Sequence, residues 1–374
     1  MKYGPSYTIT TKKRRRRLRI NAPPKLPIEL IRPIVEFIED RGTLFNLLLT
    51  SSTFKYEAER VLYCAMTDED RKTHMGFLKA ILHNPDNATH VRVYHAPIAR
   101  IKKHDALWRR LGSALRLMYN LKELVVAEFS ASLFPPSQDR KSILFSLEHF
   151  QCRIESIHDH KRLCHFLSGQ SQLLKIKIDM THDDPAYIEH FSPGTTPHLS
   201  FLRGPLESLK AFLPERTITM LAWETESSDF HSNYLPVLSA LAPSFNNLKY
   251  LSFGPPEPSV DDDTSLATIA HQFISLEYLD LVGFRSSDIE ALQHIPSLKG
   301  LTISMGRGIV LFVPSSTVSN IFTSYPRLQF VAIEQLPGKR GKKVFKSWTS
   351  PQAQPSVYTI PLSAFHHIFE LLPI

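Results

Sequence analysis

The stretch SLEYLDL, Ser275 to Leu281, carries leucine at its second, fifth and seventh positions. Leu279 and Leu281 flank Asp280, so both point to one face of a short strand, and Leu276 turns into the same core. Seven further stretches share this apolar-x-x-apolar-x-apolar pattern. They are NLKELVV (Asn120 to Val126), SLEHFQC (Ser146 to Cys152), QLLKIKI (Gln172 to Ile178), HLSFLRG (His198 to Gly204), NLKYLSF (Asn247 to Phe253), SLKGLTI (Ser297 to Ile303) and RLQFVAI (Arg327 to Ile333). The leading residues Leu121, Leu147, Leu173 and Leu199 are 26 residues apart, and later steps run from 22 to 30. A weaker copy, Ile218-x-x-Leu221-x-Trp223, fills the double step before Leu248, and Val91 with Val93 suggests a first one.

Between copies lie helical or turn segments, such as Thr264 to Phe273 and Ser287 to His294. A strand–turn–helix unit cannot bury its apolar face alone, so the units are expected to stack. Over residues 85 to 336 the pattern resembles irregular leucine-rich repeats. That resemblance implies a curved α/β solenoid with a parallel inner sheet and outer helices. The family usually places Asn or Cys a few residues after the strand; here those places hold Phe129, Phe284 and Pro256. The tail from Pro361 to Ile374 reads as an amphipathic capping helix, preceded by a basic loop from Pro337. The expected binding face is the strand side that carries Asp280.

Upstream, Leu30, Ile31, Ile34, Val35 and Ile38 form an apolar stripe at helical spacing. Pro27 suits the helix start, Gly42 the C-cap, and Thr43 the start of a second helix with Leu44, Leu47 and Leu48. A third helix is expected through Phe54, Ala58, Val61 and Leu62. Leu26-Pro27-x-Glu29-Leu30, Ile34, Ile38, Leu44-x-x-Leu47, Thr50-Ser51, Phe54 and EAERVLY (Glu57 to Tyr63) resemble a fungal-type F-box. Pro33, inside the first helix, departs from that pattern. The resulting expectation is a basic disordered leader at 1–22, a small all-α F-box-like module at 23–66, the solenoid at 67–336, and a basic loop with capping helix at 337–374.

The net charge of +8 is concentrated in two tracts, Lys12-Lys13-Arg14-Arg15-Arg16-Arg17 and Lys339-Arg340-Gly341-Lys342-Lys343. Two local tracts are not a basic face spread over a folded domain, so nucleic acid is not the expected partner. The first tract reads as a nuclear-localisation signal, and the expected compartments are nucleus and cytoplasm. No run of about 20 apolar residues suggests a membrane span. Cys64, Cys152 and Cys164 have neither metal spacing nor a disulfide framework, as in a reducing compartment.

The sequence offers no catalytic set, metal site or cofactor motif. His158-Asp159-His160 with Cys164-His165, His182-Asp183-Asp184, and Gly306-Arg307-Gly308 match no chemical spacing. Trp223, Phe230, Tyr234, Phe284 and Tyr325 could anchor a partner if exposed. The resemblance as a whole implies a non-enzymatic substrate receptor of a Skp–cullin–F-box ubiquitin ligase. Leu26, Pro27, Leu30, Ile34, Leu44 and Leu47 would contact the Skp-type adaptor, and the repeats would hold an unidentified protein target. The alternatives are a repeat scaffold unrelated to ubiquitination and, more remotely, a nucleic-acid-associated protein.

Overall fold

The computed structural model describes residues 26–97, 106–129, 133, 145–154, 157–180, 194, 196–225, 235–254, 266–283, 286–304, 315–335, 342–351 and 353–361. The chain divides into two compact units, Met1–Leu62 and Tyr63–Ile374.

The first unit holds α1 (Ile28–Glu36) and α2 (Arg41–Leu47), and α3 (Ser52–Cys64) begins in it. Ile31, Val35, Leu44, Ala58 and Leu62 are buried and form its apolar interior. Pro33 lies inside α1, in its second turn. The cap of α2 is Asp40, whose carboxylate accepts from the Thr43 backbone N–H at 2.6 Å and from the Thr43 hydroxyl at 2.7 Å. Gly42 and Thr43 therefore sit inside α2, not at the C-cap and N-cap that their residue types suggested. Asp outcompetes Thr because its charged oxygen accepts a stronger hydrogen bond and favours the positive helix end. Arg60 ties α3 to α1 through Glu36 at 2.5 Å and bonds Glu57 at 2.8 Å.

Among the described residues the second unit is built on one sheet of thirteen strands, ordered as they occur in the chain. They are β1 (Ala65–Met66), β2 (Val93–His95), β3 (Glu123–Val125), β4 (His149–Ile154), β5 (Lys175–Met180), β6 (Phe201–Gly204), β7 (Met220–Glu224), β8 (Tyr250–Gly254), β9 (Tyr278–Val282), β10 (Gly300–Ser304), β11 (Phe330–Glu334), β12 (Lys342–Trp348) and β13 (Ser356–Pro361). Pairing is parallel from β1 to β11 and antiparallel through β12 and β13. The connecting helices are α4 (Arg71–His83), α5 (Pro85–Ala88), α6 (Ala106–Leu115), α7 (Ile157–Ser168), α8 (Leu206–Phe212), α9 (Leu235–Phe245), α10 (Ser286–Leu292) and α11 (Ser315–Ser324).

One face of the sheet is apolar in every register. Leu221, Leu251, Leu279, Leu301 and Val331 stand opposite one another across β7 to β11. They share a single core with Leu111, Phe166, Leu209, Phe245, Leu292 and Ile321 of the helices. Close approach is needed where helix meets sheet: a Cβ on Gly204 would lie 2.5 Å from the Ile178 carbonyl oxygen and 2.7 Å from Ser208 Oγ. That hydroxyl donates to the same Ile178 carbonyl at 2.8 Å.

The other face, free of these helices, changes character along the sheet. From β2 to β8 its residues are largely half-buried or exposed, whereas every residue of β10 and β11 is buried on both faces. Asp280, expected at an open binding surface, does project from the helix-free face but is only 1% exposed. Its carboxylate accepts from Ser252 Oγ at 2.9 Å and Ser304 Oγ at 2.6 Å. Over the neighbouring register the rings of Tyr278 and Phe330 stack 6.1 Å apart across Gly300, which has no side chain to intervene.

These observations correct the expected fold class. In place of a leucine-rich-repeat-like solenoid with a wholly parallel inner sheet behind an F-box-like module, the chain forms an α/β fold on one 13-stranded, mostly parallel sheet with an antiparallel end. Strands β12 and β13 occupy much of the region expected as basic loop and capping helix. Of that helix, residues 362–374 lie outside the described residues. The local apolar spacing specifies which side of each strand is buried against helices. It carries no information about what happens on the opposite side or how the last strand is completed.

Candidate functional site

The x positions of the repeated pattern become rows of side chains on the helix-free face. Lys177 on β5 stands opposite Arg203 on β6, which stands opposite Ala222 on β7. One pleat further on, Arg153 of β4 stands opposite Asp179 of β5, and Glu224 ends β7. Strands lie about 4.8 Å apart, so these charges fall within reach of one another. Arg203 Nε donates to Glu224 Oε1 at 2.7 Å. Lys177 Nζ lies 3.8 Å from the same oxygen and 3.9 Å from Asp179 Oδ1. Asp179 Oδ1 is shielded from solvent and accepts no hydrogen bond.

Burial shapes the titration of this cluster. Desolvation, helped by the nearby Arg203 charge, lowers the Lys177 pKa below the usual lysine range. Desolvation raises the Asp179 carboxyl above the usual range, with the Lys177 charge acting against it. Opposed shifts on neighbouring half-buried groups are a feature of binding and reactive sites.

Next to this cluster, Glu123 on β3 bridges two imidazoles. His95 Nε2 lies 2.7 Å from Glu123 Oε1, and His149 Nδ1 lies 3.3 Å from Oε2. The His149 and His95 hydrogen bonds hold the Glu123 carboxyl well below the usual carboxylate range, against the opposing effect of burial. Among the described residues no group of three His, Cys, Asp or Glu side chains is placed to hold a metal ion.

A second candidate surface lies on the first unit. Leu26, Ile28, Leu30, Ile34, Phe37, Phe45, Leu49 and Tyr56 are all exposed, with Phe37 at 87% and Leu49 at 86%. Of the residues expected to contact an adaptor, Leu26, Pro27, Leu30 and Ile34 are exposed, Leu47 is half-buried and Leu44 is buried. Leu44 thus serves the interior of the unit. The tract Lys12 to Arg17 lies outside the described residues, as do His182 to Asp184 and Gly306 to Gly308.

Trp223 is 1% exposed and packs edge-on to Phe253 at 5.5 Å, so it fills the core and anchors no partner. Tyr325 is half-buried against the same core; Phe230, Tyr234 and Phe284 lie outside the described residues. Cys152 is buried and Cys164 half-buried, and burial pushes the Cys164 thiol up to about 12. Neither is poised as a thiolate nucleophile. Sequence reasoning missed Arg153, Lys177, Asp179, Arg203 and Glu224. The signal was present: Gln151, Lys177 and Arg203 occupy the same x position in three successive copies, opposite one another in register.

No family model matches the chain, and no curated protein matches it. Among solved structures the chain is similar to a PfkB-family carbohydrate kinase from Listeria grayi. The identity is 9% and the TM-score 0.27, over 60% of this chain and 75% of that one. These findings correct the functional expectation. The solved structure is described as a carbohydrate kinase, and the expected ligase-receptor role is not carried further. The roles of non-catalytic ligase receptor, repeat scaffold and nucleic-acid-associated protein are not taken up again. A likeness at this level carries no argument for kinase activity either. The motif resemblance of residues 26–63 rests on those residues alone.

Proposed function

We propose that this chain binds a protein partner through the apolar face of its N-terminal helical unit. The observation that carries this reading is the exposure of eight large apolar side chains between Leu26 and Tyr56, out of thirteen such exposed residues among those described. Solvated apolar surface is costly, at roughly 25 cal/mol per Å², and concentrated patches of it are sites of association. Phe37 and Leu49 are the natural anchors, since large side chains that become fully desolvated dominate interface energies.

The candidate partner with a motif argument behind it is a Skp-type adaptor, reached through Leu26, Pro27, Leu30 and Ile34; no ligase role is attached to it. Mixing the purified chain with purified adaptor and following complex formation by size-exclusion chromatography tests the reading. A stable complex is expected, weakened at least tenfold by Phe37→Asp or Leu30→Asp, with unchanged helical circular dichroism. A complex that survives both substitutions, or no complex at all, overturns it.

A further inference from the structure

We propose that Arg153, Lys177 and Arg203, on the helix-free face of β4, β5 and β6, form a binding site for a phosphate-type oxyanion. Among the described residues three cations face two carboxylates here, Asp179 and Glu224, a local excess of one positive charge. On the adjoining row Lys175 and Glu123 offset each other in charge.

The contacts of Lys177 and Arg153 among the described residues do not use up their donors. Glu224 bonds Arg203, but among the described residues Lys177 Nζ has no carboxylate nearer than 3.8 Å, beyond hydrogen-bond distance. Arg153 is exposed, and no carboxylate among the described residues lies within ion-pair distance of it. An ammonium paired to two carboxylates at 3.8 and 3.9 Å, with no hydrogen-bonded anion among the described residues, keeps N–H donors open to a further acceptor.

The donor set selects the chemistry. The Arg153 guanidinium fork and the Lys177 ammonium, on adjacent strands with Arg203 beside them, present more donors than one carboxylate can accept. A phosphate group has three strong acceptor oxygens and close to two negative charges, and guanidinium forks bind it in a bidentate manner. The site is distinct from the apolar face of the first unit and independent of what that face binds.

The test uses the full chain titrated with inorganic phosphate, O-phosphoserine or acetate at matched ionic strength, followed by calorimetry and by melting temperature. Phosphate or phosphoserine should bind at one site and raise the melting temperature in proportion to occupancy, whereas acetate should not. Tighter binding of O-phosphoserine than of inorganic phosphate would identify a phosphorylated side chain as the source, and the reverse would identify a free phosphate. Arg153→Gln and Lys177→Gln should each weaken binding about tenfold while leaving circular dichroism unchanged; the first lies at an exposed position and cannot act through the core. Equal effects of phosphate and acetate, or undiminished phosphate binding in both variants, would overturn the proposal.

Discussion

Asp280 is the most direct probe of how the helix-free face is built. Strand alternation alone makes it a surface residue whose loss costs almost nothing. In the fold it is 1% exposed and accepts two serine hydroxyls, at 2.9 Å from Ser252 and 2.6 Å from Ser304. A hydrogen bond to a charged group contributes about 1.5–3 kcal/mol, so two of them sum to about 3–6 kcal/mol. Removing a buried carboxylate also relieves a desolvation cost of several kcal/mol, which offsets part of that loss. Ser304, itself fully buried, would be left with an unsatisfied hydroxyl. The net cost of Asp280→Ala is then about 2–4 kcal/mol, comparable with the roughly 2–5 kcal/mol of a buried Leu→Ala change such as Leu279→Ala. Asp280→Asn, which keeps one acceptor, should fall between wild type and Asp280→Ala. Urea unfolding followed by circular dichroism should show both Asp280→Ala and Leu279→Ala with clearly lowered midpoints. An unchanged midpoint for Asp280→Ala beside a lowered one for Leu279→Ala would refute the reasoning and return Asp280 to solvent.

His74 is fully buried between Tyr94 Oη at 3.1 Å and the Asp68 carbonyl at 2.6 Å, and burial lowers its pKa below 6.5. Its contribution to stability is fully present above 6.5 and lost as pH falls through the lowered folded value, because only the unfolded chain takes up the proton freely; the drop in melting temperature between pH 7.5 and 5 should be smaller in His74→Gln. Gly254 has φ +140, and an added Cβ would run into the Val282 carbonyl, so Gly254→Ala should cost about 1–3 kcal/mol in the same urea assay. Replacing Lys12 to Arg17 by Ala should move a fluorescently tagged chain from nucleus to cytoplasm without altering its melting temperature, and an unchanged distribution would remove the nuclear-import reading.

The sequence by itself determined the strands and their inward faces. Leu251, Leu279 and Leu301 hold equivalent places in successive copies, and they lie side by side because period-two alternation sends the same position of each copy to the face packed against the helices. It also marked three helices between Leu26 and Tyr63, although the cap of the second is Asp40 and not Thr43, three residues further on. What only the tertiary structure decided is the fate of the x positions. Lys177, Arg203 and Asp280 share one row, yet Arg203 and Lys177 meet carboxylates in a half-open cluster while Asp280 is sealed between two serines. Nothing local distinguishes them, because the hydroxyls that satisfy Asp280 belong to Ser252 and Ser304, 28 and 24 residues away in the chain. The antiparallel end of the sheet was hidden for a related reason. Lys342 to Trp348 is a charged stretch with no apolar repeat, and it becomes a strand because β11 offers it an unpaired backbone edge.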